Sequence, residues 1–112
     1  MKTIFNRVIP FKGFLAVSVF GLIFVRKEYE YIKGTPVYER MLRHEAIHNA
    51  QMKELGYIPF YIIYFFEWLF DLVRYGLGGE VAYLSISFEK EAYRHQDDTD
   101  YLQSRQHYAQ WR

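Results

Sequence analysis

Five consecutive residues, His44-Glu45-Ala46-Ile47-His48, concentrate the chemistry of this chain. On an α-helix, residues four apart stand one turn above one another, with Cβ atoms about 5–6 Å apart. Two imidazoles so placed reach one Zn²⁺ at bond lengths of about 2.0–2.1 Å. Glu45 is carried beside the cation, where it takes a proton from a water that the metal has acidified. Without a cation, two histidines and a carboxylate on an apolar helix face leave several polar atoms to satisfy. The chain has no cysteine, so any metal must be held by His and carboxylate.

The element that positions these residues is well marked. Thr35-Pro36 supplies an N-cap and a residue preset for the first helical turn. Val37, Met41, His44, His48, Met52 and Leu55 then recur at helical spacing as one buried stripe. Gly56 ends the run and Pro59 prevents its continuation, so the spacing predicts a helix over 36–55. A third ligand is sought downstream, in Ser87-Phe88-Glu89-Lys90-Glu91-Ala92-Tyr93-Arg94-His95. On a helix over 88–95 capped by Ser87, Phe88, Glu91, Ala92 and His95 share one face, and Glu89 turns to the flank with Tyr93. Glu91 is the favoured ligand; Glu89 and His95 are its rivals.

Elsewhere, β-branched and aromatic residues interrupted by Gly21 predict a strand pair or hairpin near 14–20 and 22–31. An aromatic helix is expected over 59–75, ended by Gly76, Gly78 and Gly79, and a last helix over 99–110 capped by Asp97 or Asp98. One β segment followed by several helices gives an α+β fold. At 112 residues the chain reads as a single small domain over 1–112. Its 51% apolar and 21% aromatic content argues against disorder. A net charge of +1 offers no electrostatic footprint for nucleic acid.

Lys2, Arg7 and Lys12 precede an apolar run, Gly13 to Val25, that imitates a secretory leader. The run is short and ends in Arg26-Lys27 with no small-residue cleavage site behind it, so an uncleaved start is expected. The stretch from Tyr57 to Tyr75 is long enough to span a bilayer, but Glu67 and Asp71 make spanning costly. It reads as a core helix or one lying at a membrane surface, and the expected location is cytoplasmic or membrane-associated.

A His-Glu-x-x-His helix, preceded by a strand pair and followed by a helix with a ligand Glu, resembles the gluzincin metallopeptidases. In layout it is similar to single-domain minigluzincins and to the peptidase domain of penicillin-sensing receptor metallopeptidases. Met41 to Gln51, with the later Glu91-Ala92, carries the likeness. In the membrane-linked members, too, a strongly apolar segment separates the two motifs. The resemblance implies a zincin-like fold in which His44, His48 and Glu91 bind Zn²⁺ and Glu45 is the general base. It also implies that the strand before the motif helix pairs with an extended peptide substrate. Many gluzincins place an Asp one turn after the third ligand; this chain has His95 there, with Asp71, Asp97 and Asp98 as substitutes. Tyr93, His95, Arg105 and His107 have chemistry suited to stabilising an oxyanion.

The leading expectation is therefore a zinc-dependent metallopeptidase-like hydrolase acting on a peptide or protein. The alternative is a non-catalytic, zinc-stabilised module that docks on a membrane or a protein. A metal-free fold with a satisfied His pair is the third reading.

Overall fold

The computed structural model describes residues 2–9, 15–76 and 79–112. Lys12, Gly13, Phe14 and Gly78, used above as boundaries, lie outside the described residues. The fold is α+β. Strands β1 (Lys2–Asn6), β2 (Ala16–Val19) and β3 (Leu22–Arg26) form a three-stranded sheet in the order β1-β3-β2. A 3₁₀ segment, Lys27–Ile32, leads to α1 (Pro36–Leu55), and α2 (Ile58–Tyr75), α3 (Glu80–Ser85), α4 (Ser87–His95) and α5 (Tyr101–Ser104) follow. A short 3₁₀ turn, Ala109–Trp111, lies near the C-terminus.

The hairpin between β2 and β3 forms as expected and is tight. Val19 pairs with Leu22, leaving Phe20-Gly21 as a two-residue turn. Both turn residues have positive φ, +48° and +88°, the geometry that matches strand twist in two-residue hairpins. Gly21 has a second reason to lack a side chain: a Cβ there would lie 3.2 Å from the Asn49 Oδ1 of α1. The Phe20 ring packs on Tyr57 and Tyr61, and its N–H donates to the Tyr61 hydroxyl at 3.1 Å. Those contacts hold the non-glycine residue in its uncommon conformation and pin the hairpin to α2.

Several elements depart from the sequence reading, among them α3, a six-residue helix that no signal in the sequence announced. β1 was not expected; it runs parallel to β3, from Lys2 opposite Leu22 to Asn6 opposite Arg26. The second expected strand, drawn to residue 31, ends at Arg26 because the chain tightens into the 3₁₀ segment. The expected helix over 99–110 is a single turn, Tyr101–Ser104. The chain leaves it with Arg105 in an extended conformation and its side chain drawn into a buried cluster of carboxylates.

Helix α1 follows its signals closely. The Thr35 hydroxyl accepts the Tyr38 N–H, Pro36 occupies the first turn, and Gly56 closes the helix with φ +85°. Met41, His44, His48 and Met52 of the expected stripe are buried; Val37 is exposed and Tyr38 is buried instead. One end of α1 packs under the sheet, where Ile23, Val25, Tyr38 and Met41 form a core cluster. The other end joins a second cluster of Met52, Phe60, Ile86 and Phe88, drawn from α1, α2 and α4. His44-Glu45-Ala46-Ile47-His48 spans the ground between these clusters.

The hairpin geometry has a direct test. Gly21→Ala must place a Cβ at positive φ against Asn49 and is expected to lower unfolding free energy by about 1–2 kcal/mol. Urea denaturation measures this, and an unchanged midpoint contradicts the turn geometry.

Candidate metal centre

His44 and His48 are consecutive-turn residues of one buried face, and α4 brings Glu89 against them. His44 Nε2 and His48 Nε2 each lie 3.0 Å from Glu89 Oε1, and 3.1 Å from one another. All three side chains are buried, and together they form a group able to hold a metal ion. Tetrahedral zinc with bonds of about 2.0–2.1 Å needs its donors about 3.3 Å apart, close to this spacing.

The outer ring nitrogens decide what the inner ones present. His48 Nδ1 faces the Gln51 Oε1 at 2.8 Å, and His44 Nδ1 faces the Gln96 Oε1 at 2.9 Å. The orientation of Gln51 is set independently, because its amide nitrogen donates to the Phe88 carbonyl at 3.1 Å and to Glu91 Oε1 at 2.9 Å. Its oxygen must therefore accept from His48 Nδ1–H, which leaves His48 Nε2 with a lone pair. A neutral imidazole held this way aims that lone pair at a carboxylate oxygen 3.0 Å away. Such a contact requires a positive charge, supplied by a metal or by a proton.

The shifts in acidity have the same origin. Burial, the largest single influence, pushes the His48 imidazolium down, but the charge and hydrogen bond of Glu89, with help from Glu45 and Gln51, lift it to about 9. Burial likewise pushes Glu89 up, and His48, His44 and the Tyr64 hydroxyl together hold it far below the ordinary carboxylate range. Tyr64 donates to Glu89 Oε2 at 2.6 Å, so both carboxylate oxygens are committed.

Glu91, the favoured third ligand, is not in this group. Its Oε1 accepts from Gln51 and Arg105, and its Oε2 accepts from Tyr101 at 2.7 Å and Arg105 Nε at 2.6 Å. Four donors use the four lone-pair directions of a carboxylate and leave none for a cation. Burial pushes Glu91 up, but the Arg105, Gln51 and Tyr101 hydrogen bonds outweigh it and keep its carboxyl ionised. Phe88, Glu89, Glu91 and Ala92 are all buried, so the inward face of α4 is broad, with one carboxylate at each margin. Both margins meet α1, but at different residues: the one Glu89 shares with Tyr93 meets the imidazoles, the Tyr93 ring packing edge-on against His44 with centroids 4.6 Å apart, whereas Glu91 meets Gln51.

The other candidates are elsewhere. His95 stacks on Tyr101 at 3.8 Å, Asp97 pairs with Arg40, and Asp98 accepts the Asp100 N–H. Arg105 is held by Glu54 and Glu91, and exposed His107 contacts Glu54. The buried Asp71 lies on α2 outside the group. Sequence reasoning missed Gln51 and Gln96, the residues that orient the imidazoles. Gln51 had a visible signal, since it lies three residues after His48 on the same helical face.

Glu45 lines a cavity of about 330 Å³ beside the group. Its Oε2 accepts the Ser18 hydroxyl at 2.6 Å, and Ser18 lies on β2, an edge strand of the sheet. Val17, Met52, Phe60, Tyr61, Tyr64 and Tyr83 make most of the wall apolar or aromatic. Comparison with family models, with curated proteins and with solved structures returns no match, so function is argued from the geometry of the site.

Metal content after zinc loading and dialysis tests the ligand set. His48→Ala and Glu89→Ala are expected to retain less than about a tenth of the wild-type zinc, while Glu91→Gln retains the site with affinity lowered about 10–100-fold. Zinc kept by Glu89→Ala and lost completely by Glu91→Gln contradicts the assignment.

The pH dependence of the metal-free protein is a second test. His48 is raised, so its stabilising contribution is complete below 6.5 and lost as pH climbs through about 9. Glu89 is lowered, so its contribution is present above 4.5 and lost as pH falls toward its folded value. Stability of the metal-free chain is expected to peak between these limits and decline toward pH 9. Zinc affinity is expected to rise about tenfold per pH unit over that decline, because zinc displaces one proton from His48. Affinity that is flat with pH, measured by competition with a chromophoric chelator, contradicts displacement of that proton.

Proposed function

We propose that the chain is a zinc-dependent hydrolase of peptide bonds, with a zincin-like arrangement of edge strand, motif helix and third-ligand helix. The observation that carries this reading is a three-member donor group, His44, His48 and Glu89, beside a carboxylate that lines an apolar cavity. Among the described residues the group has three members, and a catalytic zinc keeps a coordination position for water or substrate. A bound zinc supplies Lewis acidity and lowers the pKa of water to near neutrality.

The chain's own residues account for the rest. Glu45 accepts the proton released at the nucleophile and returns it to the departing amine. The Ser18 hydroxyl fixes one Glu45 oxygen and leaves the other, Oε1, for proton transfer. Burial and the nearby Glu89 charge push the Tyr83 hydroxyl well above its usual range, so it stays a phenol and a donor. It lines the cavity with its oxygen 3.1 Å from the Tyr93 hydroxyl; one hydroxyl donates to the other, and the remaining proton is the donor offered to a developing oxyanion. Strand β2 offers backbone groups to an extended peptide, and the aromatic walls suit an apolar side chain beside the scissile bond.

Glu45→Gln keeps the shape of the cavity and every metal ligand while removing the base. It is expected to bind zinc like the wild type and to cleave a mixed peptide library at least about a thousandfold more slowly. Equal cleavage by both proteins removes Glu45 from the mechanism, and absence of cleavage by the zinc-loaded wild type supports a zinc-stabilised interaction module instead.

A further inference from the structure

Helix α2 is amphipathic in the reverse sense. Its polar groups face the protein: Asp71 is buried, Glu67 accepts the N–H and hydroxyl of Ser87 at 2.8 Å each, and Tyr61 and Tyr64 line the cavity. Ile58, Ile62, Phe66, Leu69, Phe70 and Val73 face outward, with Phe66 61%, Phe70 63% and Val73 81% exposed. With 100° per residue these six fall within an arc of about 120°, and exposed Phe65 extends the same face. No charged residue lies in that arc.

We infer that this face of α2 docks in the plane of a lipid membrane, at the boundary between headgroups and acyl chains. No single described helix is long and apolar enough to cross a bilayer, and α1 and α2 are bent 113° from one another. The placement of charged and aromatic residues around the face favours lipid over a second copy of the chain. The stripe is about 24 Å long and one helix wide. An in-plane helix needs only such a stripe. At the end of the face, exposed Arg74 lies over the Tyr75 ring at 5.3 Å, a cation and an aromatic suited to the headgroup level. Neither acid of α2 is turned toward an anionic surface.

The inference is independent of the hydrolase reading and is tested without activity. The full chain is sedimented with vesicles of phosphatidylcholine, and with vesicles of equal parts phosphatidylcholine and phosphatidylglycerol. Wild type is expected to partition onto both, more strongly onto the anionic ones. Phe66→Glu and Phe70→Glu, exposed positions where circular dichroism should be unchanged, are expected to reduce partition about tenfold or more. Leu102→Glu, exposed on α5, is expected to leave it unaltered. Wild type that stays in solution overturns the inference, as does binding that survives both α2 substitutions. A concentration-dependent dimer in analytical ultracentrifugation, abolished by those substitutions and accompanied by no vesicle binding, also overturns it and assigns the face to self-association.

Discussion

Two imidazole nitrogens and one carboxylate oxygen converge to within 3.1 Å of one another in a buried space, and such an arrangement repels itself unless something positive lies among its members. Much of the surrounding structure maintains that convergence. α1 supplies the two rings one turn apart, and α4 presses Glu89 against them. Tyr64 of α2 ties down the outer carboxylate oxygen, so three helices meet at one point of high electrostatic demand.

Behind the donors lies a polar relay that ends at the C-terminal segment. Arg105, buried between Glu54 and Glu91, holds Glu91 through two hydrogen bonds. Glu91 holds the amide of Gln51, and Gln51 sets the tautomer of His48. A buried ion pair of this kind contributes little net stability, because desolvation offsets attraction. Its physical consequence is orientation: the residue two positions after Glu89 acts on the same imidazole from the far side.

Much of the fold was legible because local chemistry and tertiary demand agree there. Thr35-Pro36 and Gly56 bound α1, Phe20-Gly21 marks a hairpin, and His44, Glu45 and His48 share one turn of α1. What failed depends on packing between elements. β1 is polar at its start and pairs in parallel with a strand 20 residues away, which no local signal announces. The residues after Ser104 leave the helical path because Arg105 meets carboxylates from α1 and α4. Choosing between Glu89 and Glu91 required knowing which margin of α4 meets the imidazoles of α1, and helical periodicity places both at the edge of a broad buried face.

X-ray absorption at the zinc edge of the loaded protein reads the donor set itself, with no dependence on turnover. One zinc per chain is expected, with nitrogen and oxygen neighbours at about 2.0–2.1 Å and the outer scattering of two imidazoles. That imidazole pattern should persist in Glu45→Gln and in Glu91→Gln at saturating zinc. A spectrum with fewer than two imidazoles, or one altered by Glu91→Gln and indifferent to Glu89→Gln, would contradict a centre built from His44, His48 and Glu89.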